Sequence, residues 1–264
     1  MHRLVWSIVI AVLVSSAAAA QRAMPVCERW NQRIGVVADM FPITMARRTG
    51  EIRLGQVDGL AMSVLNAMFP VLHENHEIII VAFPDSAALQ NALISGEVDI
   101  GLGLYYDSLA EAHIKFLQPG FFNNLIGALY LDGDSRHETP ADFKGMRGVY
   151  VGDSDMTRQA GMLINRHQLN LTPVNSDAEA LARLETRRAE FFLVDTYRAR
   201  RLLREPDWRD AGLRLAPALG GRHVFFAISR RSRCMENSNF ERRYHELAED
   251  FDVIVSQAAS QITW

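Results

Sequence analysis

Apolar and polar positions along this chain fall into two alternating patterns. Short, solid apolar runs rich in β-branched residues give way to longer stretches with apolar residues three and four apart. RIGVVAD (33–39), EIIIVAF (77–83) and VDIGLGL (98–104) are runs of the first kind and predict strands buried on both faces. LAMSVLNAMFPVL (60–72) and PDSAALQNALISG (84–96) have helical spacing; Asp85 or Ser86 offers an N-cap to the second, and Gly96 a stop. Between the first strand and the first helix, MFPIT (40–44) breaks the strand, and GEIRLGQVDG (50–59) reads as a small hairpin. LAEAHIKF (109–116) is helix-like, with Asp107 or Ser108 placed to cap it.

The middle changes character. FFNNLIGALYL (121–131) predicts one extended strand, and DGDSRHETPADFKG (132–145) a polar loop with a helical turn. Alternation then restarts: strands at 146–153, 171–174 and 190–195, and helices at 154–167, 176–189 (capped by Ser176) and 196–205. LRLAPAL (213–219) and HVFFAIS (223–229) are late strands, and 240–259 a closing helix. Two β/α series of comparable size predict an α/β fold with parallel sheets covered by helices.

The first twenty residues stand outside this pattern. A short basic start, an apolar core too short to span a bilayer and the small residues Ala18-Ala19-Ala20 predict a cleaved signal peptide at 1–20 and export to the periplasm. Removing Arg3 with it takes the formal charge from −3 to −4, a balance that points to neither nucleic acid nor anionic membrane. The two cysteines, Cys27 and Cys234, predict one disulfide in an oxidising compartment, with two buried thiols as the alternative. HENHE (73–77) has too little around it for a metal site, and no cofactor motif is present. GDSD (152–155) departs from the G-x-S-x-G of serine hydrolases at Asp155.

Five segments, in order, carry a resemblance. RIGVVADMFP (33–42), VDGLAMSVLNAM (57–68), ALISGEVDIGLGLYYDSLAEAHIKFLQPGFF (92–122), DFKGMRGVYVGDSD (142–155) and RRAEFFLVDTYRAR (187–200) together resemble the type II periplasmic solute-binding proteins, in their amino-acid-binding branch. The resemblance covers the chain from Arg33 to about Ala259. It implies two α/β lobes joined by two crossing hinge strands, lobe 1 being 21–125 plus 222–264 and lobe 2 being 126–221. It also implies a small-molecule ligand in the cleft, a monomeric receptor, and an inner-membrane ABC permease or a sensor as partner.

The same resemblance places ligand contacts at Asp39 and Phe41 in the first loop and at Tyr105, Tyr106, Asp107 and Ser108 in the second. In the second lobe it places them at Ser154, Asp155, Asp195 and Tyr197. Asp195 stands where relatives hold the ligand's ammonium group; capping the following helix is its alternative role. Two departures matter. Glu111 occupies roughly the place of the arginine that clamps an α-carboxylate in that branch, and Gly59-Leu60-Ala61 replaces G-F-D. The implied cleft is short of cations and rich in acids. That reading disfavours a standard α-amino acid and favours a cationic, polyhydroxylated or aromatic ligand. An enzyme on the same scaffold, a lyase resembling cyclohexadienyl dehydratases, is the alternative function. A lobe pair reduced to protein binding is a third.

Overall fold

The structure is a computed structural model that describes residues 32–70, 78–131, 137, 139–152, 154–232 and 239–262. The expected signal peptide, Cys27, Cys234, His73–Glu77 and Asp153 lie outside the described residues.

The first series builds β1 (Arg33–Val37), β2 (Asp39–Met40), β3 (Thr44–Ala46), β4 (Gly50–Ile52), β5 (Val57–Asp58), helix α1 (Leu60–Met68), β6 (Ile79–Phe83), α2 (Ser86–Ser95), β7 (Ile100–Tyr105) and β8 (Ile114–Phe116). β1 runs parallel to both β6 and β7. Apolar residues in these strands divide between two cores: Ile34, Val36, Ile100 and Leu102 enter one, and Val37 and Leu104 the other. In β1 that division is the two-residue period of a strand covered on both faces. In β7 the period breaks at Gly103 (φ 88°), where the register with Phe225 and Phe226 shifts and Leu104 crosses to the second core. Asp85 caps α2, accepting from the Ala88 N–H at 2.8 Å, and Gly96 ends it at φ 80°.

The second series builds β10 (Arg147–Val151), α3 (Ser154–His167), β11 (Asn170–Val174), α4 (Asp177–Glu185), β12 (Phe191–Asp195) and α5 (Thr196–Leu202). Strands β11, β10 and β12 are parallel neighbours. In β12, Phe191 and Leu193 enter one core while Phe192 and Val194 enter the opposite one. Ser176 caps α4 as the sequence predicts.

Two ten-residue strands, β9 (Phe122–Leu131) and β14 (Gly220–Ser229), connect the halves. They pair antiparallel from Phe122↔Val224 to Ile126↔Gly220. β9 then runs on beside β12, and β14 beside β7. The result is one continuous sheet in the order β11-β10-β12-β9-β14-β7-β1-β6-β4. The short strand β13 (Leu213–Leu215) joins β9, and β8 joins β14.

Three local expectations are corrected. LAEAHIKF forms no helix: residues 108–113 make successive turns, and Ile114–Phe116 is drawn into pairing with Ala227–Ser229. Strand pairing there overrides good helix formers. The hairpin expected at 50–59 does not close on itself, because β4 pairs with β6 and β5 with β3. The closing helix is divided into α6 (Phe240–Leu247) and α7 (Phe251–Gln261) by a 3-10 turn at Ala248–Asp250.

Gly59 fixes the loop after β1 to the start of α1. Its φ is 121°, and a Cβ there would lie 2.5 Å from the Ile43 carbonyl oxygen. The two N–H groups that follow, of Leu60 and Ala61, donate to Pro42 and Ile43 at 3.0 Å. Gly59→Ala is therefore expected to cost at least about 2 kcal/mol, read by chemical denaturation. A loss below about 0.5 kcal/mol would mean that the loop shifts freely and does not depend on this contact.

Candidate functional site

Strand ends from both halves converge on one cavity of about 160 Å³. This is close to the size of an engineered apolar cavity that admits benzene. From the first half come Asp39, Met40 and Phe41 after β1, Pro84, Asp85 and Ser86 after β6, and Tyr105 at the end of β7. From the second half come Asp155, Met156 and Gln159 on α3, Asp195 at the end of β12, and Arg198 and Arg201 on α5. Asn124, Ile126 and Arg222 on β9 and β14 line it between them. The carboxyl ends of parallel strands are where open α/β sheets leave room for a ligand.

The β9–β14 register explains how its middle is built. Asn124 stands opposite Arg222, and Ile126 opposite Gly220. Residues directly opposite in an antiparallel pair share a face. The glycine leaves space beside Gln159, whose amide nitrogen would lie 3.5 Å from a Cβ at position 220.

Five residues singled out in the sequence line this cavity: Asp39, Phe41, Tyr105, Asp155 and Asp195. Asp195 also has the role set against ligand contact, since its carboxylate caps α5 by accepting from the Arg198 N–H at 2.8 Å. It is 9 % exposed, and burial pushes its pKa up to about 6 against the pull of that hydrogen bond and of the Arg198 charge. Tyr105 is partly buried, and desolvation of its hydroxyl pushes that group above the usual phenol range. It accepts a hydrogen bond from Asn124 Nδ2 at 2.7 Å, and the Arg222 guanidinium lies 3.9 Å from its ring centroid.

Of the remaining expected residues, Tyr106, Asp107, Ser108, Glu111 and Tyr197 do not line the cavity. Tyr106 packs edge-on against Phe116 and Phe225, and the neighbouring Glu111 pushes its phenol up. Ser108 and Glu111 are exposed on the turn that replaces the expected helix. Tyr197 packs on Phe122, with Arg200 over its ring. Ser154 begins α3, and nothing further is described of its side chain. Asp107 accepts from the Leu109 N–H at 3.0 Å and from Gln90 at 3.2 Å, and pairs with Arg158 at 3.4 Å. Burial would raise its pKa, but these partners hold it below the usual carboxylate value.

The expectation of a cleft short of cations is corrected. Arg198, Arg201 and Arg222 line the cavity together with Asp39, Asp85, Asp155 and Asp195. Arg198 pairs with Asp177 at 2.7 Å, and Arg201 lies over the Phe41 ring at 4.8 Å. Arg222 reaches the Asp155 carbonyl at 3.2 Å. It comes from a crossing strand rather than from the turn after Asp107, so a search confined to the expected position missed it. Asn124 and Gln159 were also missed. Their signals are a polar pair inside an apolar strand, and a position four residues after Asp155 on the same helical face.

Side-chain bonds also cross between the halves. The Ser86 hydroxyl donates to the Asp155 carboxylate, and Asp107 pairs with Arg158. Among the described residues no cluster of three or more metal-ligating side chains occurs, and no helix is long and apolar enough to cross a membrane.

No protein-family model and no curated protein matches the chain. Solved structures do. The GluR0 ligand-binding core in complex with L-glutamate superposes with a TM-score of 0.64 at 17% identity, over 86% of this chain and 97% of that one. The periplasmic VFT2 domain of Bordetella pertussis BvgS gives 0.63 at 20% identity, over 86% and 92%. An ancestral arginine-binding protein bound to arginine gives 0.60 at 16%, over 87% and 98%. The chain has the two-lobed periplasmic-binding-protein fold, as the sequence predicts.

Asp195 carries a pH signature. Between the ordinary aspartate value near 3.9 and its folded value of about 6, the native state keeps a proton that the unfolded chain has released. Its contribution therefore lowers stability as pH rises through that window and is constant above it. Asp195→Asn keeps an oxygen for the cap. It is expected to be more stable than the wild type at pH 7 by roughly 2–3 kcal/mol, with the gap closing near pH 4, in denaturant titrations at both pH values. A gap that widens towards acid pH would show a carboxylate stabilised, not penalised, by its surroundings.

Proposed function

We propose that this protein is an exported solute-binding receptor that closes two lobes, 21–125 plus 222–264 and 126–221, around one small polar ligand. The observation that carries this reading is the cavity between the halves, lined from both sides by charged strand-end and helix residues and flanked by the two crossing strands. Such a cavity can open and shut by bending two strands without disturbing either core. An open cavity also argues against a lobe pair whose cleft is filled by its own side chains.

With arginines present, the reason for setting zwitterions aside is gone. A ligand with an anionic end towards Arg222 and a donor-rich end towards Asp195 or Asp155 matches both signs of charge. Relatives in fold have been solved with L-glutamate, arginine and glutamine bound. Amino acids therefore stand beside cationic, polyhydroxylated and aromatic solutes as candidates. The partner would be an inner-membrane ABC permease or a sensor, and the place of action the periplasm. BvgS and a histidine kinase sensor domain among the fold relatives support the sensor option.

The raised Asp195 carboxyl favours a second reading, a lyase on the same scaffold with Asp195 as proton donor or acceptor. One assay separates the two. Thermal unfolding is followed against amino acids, polyamines, betaines, hydroxy acids, aromatic acids, prephenate and arogenate. A ligand at 100 times its dissociation constant adds about 2.7 kcal/mol, a rise of a few degrees. The receptor reading predicts such a rise with the compound recovered intact, and its loss in Arg222→Met for anionic or zwitterionic ligands. Consumption of prephenate or arogenate would move the assignment to the lyase, and no shift with any compound would refute the receptor.

A further inference from the structure

We infer that Asn124 and Tyr105 form a subsite, extended by Gln159, that selects a ligand bearing a hydroxyl or carboxamide group. The inference rests on the receptor reading and names the ligand class within it.

Asn124 and Gln159 are only 6 % and 4 % exposed, and both line the cavity. The side-chain oxygens of both, Oδ1 and Oε1, are buried without a hydrogen-bond partner among the described residues. Buried amide oxygens are seldom left so, because each forfeits its bonds to water. Two in one cavity mark where something else supplies donors.

The Asn124–Tyr105 bond sharpens this. It uses an amide N–H and the phenolic oxygen. What remains is an amide oxygen that accepts and a phenolic O–H that donates. Turning the amide over exchanges the roles but again leaves one donor beside one acceptor. Burial keeps the phenol protonated at neutral pH, so its donor is always present. A carboxylate only accepts and an ammonium only donates. A methyl group does neither. A hydroxyl or a carboxamide does both, and Gln159 Oε1 offers a further acceptor.

The contrast is large because the alternative leaves buried polar atoms unmatched. A ligand whose hydroxyl or amide is replaced by an isosteric methyl group should bind about 10- to 100-fold more weakly. The test is titration calorimetry of the purified protein with four isosteric pairs. These are L-threonine against L-valine, L-asparagine against L-leucine, lactate against isobutyrate, and ethanolamine against propylamine. The expected result is that, in each pair that binds, the polar member is preferred by about tenfold or more. Tyr105→Phe should remove most of that preference while changing affinity for the methyl member by less than about threefold, since only the phenolic donor is lost. Asn124→Leu, of similar shape, gives the same reading if Tyr105→Phe fails to fold. Equal affinity within the pairs, or a preference that survives both substitutions, would overturn the subsite and leave the receptor standing. If neither these compounds nor the wider panel bind at all, the receptor reading itself falls and the subsite with it.

Discussion

The antiparallel pairing of β9 with β14 is the constraint on which the rest of the structure depends. Five register pairs, Phe122↔Val224 through Ile126↔Gly220, join two parallel half-sheets into one. They carry all the covalent and ladder continuity that a hinge must have, and they bring Asn124 opposite Arg222. Apart from Ile126, also on β9, the other cavity residues arrive from one side or the other at the carboxyl end of a strand or on the helix that follows it. The cavity is thus a by-product of where two half-sheets stop, with the crossing strands between them.

Its electrostatics follow from the same geometry. Asp195 ends a strand buried on both faces, so its carboxylate is desolvated, and the first turn of α5 only partly compensates. Arg222 is half-buried, and desolvation pulls its guanidinium below the usual value while Tyr105 and Asp155 oppose that pull. Charges of both signs are held apart by stacking and by fixed partners such as Asp177. A polar solute entering such a site exchanges its hydration for dipoles and charges already in position.

Much of this was legible in the chain. Apolar runs marked β1, β6, β7, β10 and β12 because strands covered on both faces leave no polar alternation. The resemblance to the solute-binding proteins, laid over the residues just past those runs, marked Asp39, Tyr105 and Asp195. Two kinds of error arose. At 109–116 local helix propensity was strong, yet edge pairing with β14 decided the outcome. Arg222 and Asn124 escaped because their proximity is set by register between segments far apart in sequence. No local pattern carries that information. Counting charge only at the expected positions then left out the three arginines, although acids still outnumber them in the lining.

The bonds that Ser86 and Asp107 make across the cleft are supplied by the chain itself and need no ligand. Each is worth little, on the order of 0–1 kcal/mol for a partly exposed ion pair. Even so, in a receptor of the kind proposed they would shift the open–closed equilibrium before any solute arrives. A larger closed fraction reduces the cost of reaching the binding-competent state and so tightens apparent affinity. It also bars the door. A solute enters only during openings and leaves only during openings, so both rates fall together. On that reading a chain that partly clasps itself would trade speed of capture for residence time, which suits slow reporting of a steady concentration better than rapid scavenging.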